Sequence, residues 1–528
     1  MSFELSEYQR KIKGYFLTHP HNNMAIEAKA GAGKTSTALM LTDLTKSSDV
    51  YIAFNKSIQM EMKAKLRNPK TKCYTMHGLA LSVMSYNLDK LHKKYELDNY
   101  KVIKIVDKLF EKEYKNSKLH TAEMRDYLET NYLTTYNLVR LKCVPIEVEN
   151  IEYLVNDMGL FQNENQCTPP LVQEITDWLQ LIDEMSIEDF EQECKCDFTD
   201  MLYITLKKLQ SKEWEIPYWL FFTNIYCDES QDLSKLQYSL LPYFKRTGGR
   251  FVFVYDSLQA IYGFAGADCK ATQNIMRMFY PIERFELPIN YRCGKNILDY
   301  VNDQHRAGIL PRPNANEGNV IKITEQRIHN YVKPDDFIIG RINRDLIDIA
   351  LKLIKKNFKI YLTDKEIVTT MVKFVKSLKK KTVSEVTTFC DDFIKAQAKI
   401  TDKSEIAKNA EMLEKVRTVK ILLDSYTSSS QAVNNFINYI QTIINTEDPT
   451  NCVRIMSIHK SKGLETDNVF VLHEGKPFVN LARSKDMLQQ EKNLSYVALT
   501  RAKENLYLVE CSEDCGNNEE NKKEYVSA

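Results

Sequence analysis

Two short segments of the sequence could do chemistry together. The first, Ala28-Lys29-Ala30-Gly31-Ala32-Gly33-Lys34-Thr35, lies between an apolar run and a helical pattern that begins near Lys34. A glycine-rich loop that opens a helix offers backbone N–H groups and a positive helix end to phosphates. Residues Ala30, Gly31, Ala32 and Gly33 would wrap the phosphates, Lys34 would reach the β- and γ-groups, and the Thr35 hydroxyl would hold Mg²⁺. Ala28 stands where the first glycine of such loops usually lies. The second segment, Ile225-Tyr226-Cys227-Asp228-Glu229, is an apolar run ending in two carboxylates. Asp228 can hold Mg²⁺ through its water shell while Glu229 orients and deprotonates an attacking water. Taken singly, the loop reads as a Gly/Ala turn and the acids as a solvated strand end. Together they predict hydrolysis of a nucleoside triphosphate.

These residues need strands to hold them. Met24–Ala28, Asp49–Phe54, Phe221–Cys227 and Arg250–Tyr255 read as short apolar strands. Short buried strands alternating with helices predict a parallel α/β sheet covered on both faces. Ligands of such sheets sit beyond the carboxyl ends of the strands, where both segments fall. A second sheet is predicted from Phe337–Gly340, Lys359–Leu362, Val453–Met456 and Asn468–Leu472. Residues 82–194 and 364–449 are rich in Lys, Glu, Leu and Asn and read as helical insertions.

At 528 residues the chain is long enough for three or four domains. The 12 cysteines show no disulfide-framework spacing, which predicts a reducing, intracellular setting. Cys194-Lys195-Cys196 and the Cys511, Cys515 pair lack zinc-site spacing. No long apolar run predicts a membrane span, and Met1–Lys13 lacks the apolar stretch of a secretion signal. Lys+Arg at 72 and Asp+Glu at 71 leave a net charge of +1. A broadly basic nucleic-acid-binding surface is thereby excluded, and any such binding must rest on a local groove.

Further segments are specific enough to name a family. Asp228-Glu229-Ser230-Gln231-Asp232 with Gln237, Asp256-Ser257-Leu258-Gln259-Ala260-Ile261-Tyr262-Gly263-Phe264 and Asn290-Tyr291-Arg292 occur in order. They resemble motifs II, III and IV of the UvrD/Rep/PcrA-type superfamily 1A DNA helicases. Ser457–Glu465 resembles motif V and Tyr496–Lys503 motif VI, while Asp197-Phe198-Thr199-Asp200-Met201 resembles a segment found before motif II. Tyr51–Ser57 with Thr75–Leu79 looks closest to the F-box DNA helicase branch; no F-box-like segment precedes the motifs, so a ubiquitin-ligase role is not implied. The resemblance covers about three-fifths of the chain, outside the two insertions. Compact relatives of this kind also occur in phages and large viruses.

The resemblance implies two RecA-like P-loop domains with ATP and Mg²⁺ in the cleft between them, and two mainly helical insertions. Its domain plan is 1–81 and 195–285 for the first RecA-like domain, interrupted by 82–194. Segments 286–363 and 450–510 form the second, interrupted by a reduced insertion at 364–449, with a polar tail at 511–528. Gln9 would read adenine, Tyr291 would stack on it, and Glu465 would bind the ribose. Gln259 would contact the γ-phosphate, and Arg292 and Arg501 would neutralise the transferring phosphoryl group. For the nucleic-acid strand, Phe54, Asn55, Thr75, His77, Tyr262, Phe264 and His459 match family contact positions. Aromatic faces suit single strands because every base offers a π-surface.

The implied activity is an ATP-dependent 3′–5′ DNA helicase acting on single-stranded DNA and single-strand/duplex junctions, as a monomer, with replication or repair proteins as further partners. The implied location is cytoplasmic, the host-cell interior for a viral source, or nuclear in a eukaryote. Replication, repair and recombination stay open as pathways. RNA stays open as a track, because no expected contact reads the 2′-hydroxyl. Three departures matter: Ala265 replaces the family's usual arginine, Tyr255 replaces a glycine before Asp256, and the second insertion is short. The last keeps open a translocase that clears proteins with little unwinding. A decayed motor serving as a scaffold is the third reading, and intact Lys34, Asp228, Glu229, Arg292 and Arg501 argue against it. No nuclease-like acidic cluster follows motif VI.

Overall fold

The computed structural model describes residues 4–114, 122–161, 168–363, 365–400, 403–443, 450–476 and 485–510. The chain divides into two compact units, Met1–Pro288 and Ile289–Ala528. In the first, strands β1 (Asn23–Ala28), β2 (Asp49–Ala53), β3 (Thr71–Thr75), β4 (Phe222–Cys227), β5 (Lys245–Tyr255) and β6 (Ile282–Leu287) form one sheet. Their order is β3-β2-β4-β5-β1-β6, and every neighbouring pair is parallel. Both faces are covered, which explains why the strands read as continuous apolar runs rather than alternating ones. On one face Ile12, Phe16, Ala38 and Leu41 from helices Glu7–Thr18 and Lys34–Asp43 pack on Ile26, Val252 and Val254. On the other, Leu79 and Val83 from helix Met76–Lys90, with Leu202 and Ile275, pack on Ile225, Phe251 and Phe253.

Register brings the strand ends level. Glu27 of β1 lies opposite Tyr255 of β5, Ile52 of β2 opposite Cys227 of β4, and Cys227 opposite Phe253. The chain therefore leaves β1, β4 and β5 at one edge, delivering the Gly/Ala loop, Asp228 and Asp256 to the same place.

The first insertion has its own core. Helices Lys101–Tyr114, Ala122–Lys142, Val148–Met158 and Pro169–Glu193 bury Val106, Tyr136, Ile151, Ile175 and Leu179 together. Helix Met76–Lys90 runs through residue 82, where composition placed the start of the insertion, because Leu79, Ala80 and Val83 belong to the sheet's core. Strand β6 likewise runs through residue 285, where a domain boundary was expected, and the division falls after Pro288.

A buried charge cluster ties the insertion to the sheet. Lys101 Nζ lies 2.8 Å from Asp200 Oδ2, and Arg140 Nη1 lies 2.7 Å from Asp200 Oδ1 and 2.8 Å from Asp197 Oδ2. Asp200 opens helix Asp200–Gln210, whose Leu202 and Leu206 pack in the sheet's core.

The second unit repeats the architecture with β7 (Asn319–Thr324), β8 (Phe337–Gly340), β9 (Ile360–Leu362), β10 (Val453–Ser457), β11 (Thr466–Leu472) and β12 (Ala502–Glu510). The order is β7-β12-β11-β8-β10-β9, again all parallel. Helices Lys365–Ser377, Val383–Gln397, Lys403–Ser425 and Val433–Ile443 make the second insertion. Unlike the first, it shares one apolar core with its sheet: Val375, Val416, Val419 and Phe436 join Ile338, Leu346, Ile455 and Phe470. Among the described residues no helix is long and apolar enough to cross a membrane. The expected polar tail, with Cys511 and Cys515, lies outside the described residues.

Removing Asp200 leaves the buried Lys101 without a carboxylate and Arg140 with Asp197 alone. Asp200→Ala is expected to destabilise the first unit by about 3–5 kcal/mol, read as a lower urea midpoint at unchanged slope; a loss below about 1 kcal/mol, the level of a surface pair, would contradict the tie.

Candidate functional site

Glycine is required at two positions of the loop. Gly31 and Gly33 adopt φ of 66° and 79°, in the left-handed region where a side chain is strained. Gly33 is also the N-cap of helix Lys34–Asp43, so the turn aims the helix's first N–H groups out of the loop. Ala30 and Ala32 are buried and fix the loop on the sheet. Gln9 is fully buried beside the helix head, where its Nε2 donates to Thr37 Oγ1 at 3.0 Å and its Oε1 accepts from Ser6 N at 3.0 Å.

The carboxylates meet the loop at its helical end. Thr35 Oγ1 donates to Asp228 Oδ2 at 3.1 Å, and the buried Tyr51 hydroxyl donates to the same oxygen at 2.5 Å. Burial and the neighbouring Glu229 carboxylate push the Asp228 carboxyl above its ordinary range. Lys34 Nζ stands 3.7 Å from Glu229 Oε1 and 4.0 Å from Asp256 Oδ2. Asp256 is fully buried, which raises its pKa, and it accepts from Gln259 Nε2 at 2.8 Å. Gln231 closes the circuit: its Nε2 donates to Glu229 Oε2, and its Oε1 accepts from Asp256 N at 3.1 Å. Glu229 itself sits at φ 50°, unusual for a residue with a side chain. Such strain costs on the order of 1–3 kcal/mol and gathers at functional sites.

A hydroxyl and a carboxylate in contact at a helix N-terminus fit Mg²⁺, which takes one or two protein oxygens and fills its shell with water and phosphate. Thr35 and Asp228 would hold it, and the ion would neutralise charge on the phosphates. Among the described residues no group of three or more His, Cys, Asp or Glu is placed to hold a metal. Cys194 and Cys196 are buried and free.

The aromatic residues form a face on the same edge of this sheet. Phe54 and Tyr262 stack with centroids 5.6 Å apart at 19°, and Phe264 lies 6.3 Å from Tyr262 with 64% of its surface exposed. His77, after β3, stacks at 3.9 Å on Phe198, which is 55% exposed. Asn55 and Thr75 are helix N-caps: Asn55 Oδ1 accepts from Ile58 N at 2.9 Å and Thr75 Oγ1 from Gly78 N at 3.0 Å. These caps fix the turns that carry Phe54 and His77. Ala265 is exposed, and Tyr255 is buried in β5.

The second unit gathers its own predicted residues around Thr500. Arg292 Nε donates to Glu465 Oε2 at 2.5 Å and its Nη1 to Thr500 O at 3.0 Å, while Lys503 Nζ stands 3.2 Å from Glu465 Oε1. Arg501 is 1% exposed, donating to Val497 O, Leu464 O and Thr500 Oγ1 at 2.8, 3.2 and 3.1 Å. Tyr291 precedes Arg292 and is half-buried. His459 lies in the short helix Ile458–Ser461 after β10, and burial lowers its pKa to about 3.

Residues 10–279 match the UvrD/REP helicase N-terminal domain, and residues 452–509 match the UvrD-like helicase C-terminal domain. The chain belongs to the UvrD/REP helicase family. It is 24% identical over 526 residues to the F-box DNA helicase protein 1 of Schizosaccharomyces pombe, covering 93% of this chain and 56% of that relative. It is 22% identical over 426 residues to the ATP-dependent DNA helicase PcrA of Staphylococcus epidermidis, covering 59% of this chain and 58% of the relative. DNA helicase II of Escherichia coli is 37% identical over 81 residues, 15% of this chain and 11% of that one. The chain thus spans little more than half the length of the first two relatives. In both units the UvrD-type sequence folds as a RecA-like parallel sheet with helices on both faces.

Three residues of this UvrD-family site were not singled out from sequence. Tyr51 carries a signal, since a tyrosine in a fully buried strand needs a partner for its hydroxyl. Gln231 and Phe198 lie inside recognised segments, but only the fold shows what they touch.

Burial lowers the His77 pKa to about 4. An unfolded histidine titrates near pH 6.5, so the unfolded chain takes up this proton first. The first unit should therefore lose stability as pH falls from about 6.5 towards 4. NMR titration of His77 is expected to show a neutral ring throughout pH 5–8; a midpoint near 6.5 would overturn the buried, stacked placement.

Proposed function

We propose that the chain is an ATP-driven motor that moves 3′ to 5′ along single-stranded DNA and opens duplex at single-strand junctions. The observation that carries this reading is the meeting of loop and carboxylates. Thr35 and Asp228 are in contact, and Lys34 faces both Glu229 and Asp256. In this reading Lys34 and the loop amides bind the phosphates, and Thr35 and Asp228 hold Mg²⁺. Glu229, oriented by Gln231, takes a proton from the attacking water. Gln9 and Tyr291 bind the base of ATP and Glu465 its ribose, while Gln259 senses the γ-phosphate. Arg292 and Arg501 of the second unit stabilise the transferring phosphoryl group, so ATP joins two RecA-like domains and its hydrolysis releases them. The strand is held mainly by stacking on Phe54, Tyr262 and Phe264, with Asn55, Thr75, His77 and His459 at its margins. Membership of the UvrD/REP family supports the motor reading, and the two matched ranges hold all of these residues except Gln9, Tyr291 and Arg292.

A second reading, a translocase that displaces bound proteins with little unwinding, rests on the small second insertion. That insertion shares its core with the sheet and so lacks the separate body that could swing against a duplex.

Strand displacement from duplexes bearing a 3′ or a 5′ tail tests the assignment. Opening of the 3′-tailed duplex alone is expected; opening of the 5′-tailed one alone would reverse the polarity. Movement and protein displacement without opening would favour the second reading. In Glu229→Gln, turnover should fall by about 10²–10⁴-fold while nucleotide binding persists. A variant that retains wild-type turnover would remove Glu229 from the reaction.

A further inference from the structure

Two different loop residues, Lys34 and Lys29, bear on the start of the segment after β5. One contact is Lys34 facing Asp256. The other runs through Glu27 and Lys29. Glu27, the penultimate residue of β1, accepts through a single oxygen, Oε1, from Lys29 Nζ at 2.9 Å and from Ser257 Oγ at 2.8 Å. Lys29 belongs to the loop, and Ser257 opens the short helix Ser257–Gln259 that leads to Tyr262 and Phe264. Side chains of Lys29 and Glu27 are only 19% and 26% exposed, so the contact is partly shielded from water. The neighbouring lysine and serine hold the Glu27 carboxyl below its ordinary range, as expected of a carboxylate with two donors.

A charge in a parallel strand's last turn is poor packing material, and Glu27 stands among Ala25, Ile26 and Ala28. Its position is explained by what it joins. Lys29 N also donates to Leu287 O at 3.1 Å, so the loop's first residues are anchored to β6 while their side chain reaches β5's exit. Ser257 stands five residues before Tyr262, whose ring stacks on Phe54.

Resting on the reading of the loop as a nucleotide site, we propose that Lys29, Glu27 and Ser257 form a strut coupling the phosphate loop to the aromatic face, with Glu27 and Ser257 as positioning residues. Coupling between two sites is reciprocal, so the strut also reports strand binding back to the loop.

The test is hydrogen–deuterium exchange of the full chain, with and without ADP and Mg²⁺, in wild type, Glu27→Gln, Ser257→Ala and Ser257→Thr. ADP should slow exchange in two regions of the wild type, the loop and residues 258–264. In Ser257→Ala and Glu27→Gln the loop should still respond, while the response at 258–264 falls by about fivefold or more. Ser257→Thr, which keeps the hydroxyl, should restore it. A merely structural role would instead raise exchange at 258–264 in all states and leave the ADP-dependent difference intact. Equal ADP responses in wild type and Ser257→Ala would overturn the strut, as would a wild type whose 258–264 amides ignore ADP while the loop responds. Absence of any loop response would overturn the nucleotide reading and the strut with it. Affinity for oligo(dT) without nucleotide should be unchanged in both variants, and its change on adding ADP and Mg²⁺ should be lost. If no form binds oligo(dT), the strand reading falls, and the exchange result alone decides the strut.

Discussion

One ammonium facing two carboxylates organises the first unit. Lys34 stands between Glu229 and Asp256 with only 10% of its side chain exposed, and a third carboxylate, Asp228, lies beside them on hydroxyl donors. Charges taken from water are tolerable only when paired, and here the negative groups outnumber the cation. The surroundings answer with neutral donors: Tyr51 and Thr35 on Asp228, Gln259 on Asp256, Gln231 on Glu229. A site built this way holds acidic groups in fixed positions, and a divalent cation would complete the balance of charge. Level strand ends make it possible, since a slip of one residue in β1, β4 or β5 would turn these side chains to the other face.

The same tightness gives the site its mechanical character. Glu229 occupies a strained backbone conformation, and Gln231 ties it to the main chain of Asp256. Asp256 in turn begins the segment that carries Gln259, Tyr262 and Phe264. Carboxylate, glutamine and aromatic ring thus lie on one short, hydrogen-bonded stretch of chain. A displacement at one member of so tightly packed a set is felt by the others. The stacked Phe54–Tyr262 pair, worth about 0.5–1.5 kcal/mol beyond its buried area, is the part of that network that faces outward.

Much of this was legible in the sequence. The loop, the two acids and the strands that carry them were readable because local rules determine them: glycine for left-handed turns, and apolar runs for strands buried on both faces. Strands β3, β6, β7 and β12 were not picked out. Thr71–Thr75 and Ile282–Leu287 are edge strands with exposed positions, so their apolar pattern is broken. Ala502–Glu510 starts on the last two residues of the motif Tyr496–Lys503, and its polar opening, Lys503-Glu504-Asn505, breaks the apolar run. Element ends differ from the composition shifts for a related reason. Composition marks helical content, yet helix Met76–Lys90 belongs to the sheet's core, and the second insertion merges with its own. Partner choice was the least legible feature. Nothing in the composition of Tyr51, Gln231 or Phe198 says what each will touch, because that depends on register across strands distant in sequence.

The central claim is that the buried lysine–carboxylate network is the hydrolytic half of a motor engaged by single-stranded DNA. ATP hydrolysis by the full chain, measured side by side with single-stranded DNA, single-stranded RNA and blunt duplex, tests it most directly. The account predicts a slow basal rate that rises about tenfold or more with single-stranded DNA, the range of allosteric coupling factors, and little response to blunt duplex. A rate indifferent to every nucleic acid would contradict it; a rise with RNA alone would reassign the track.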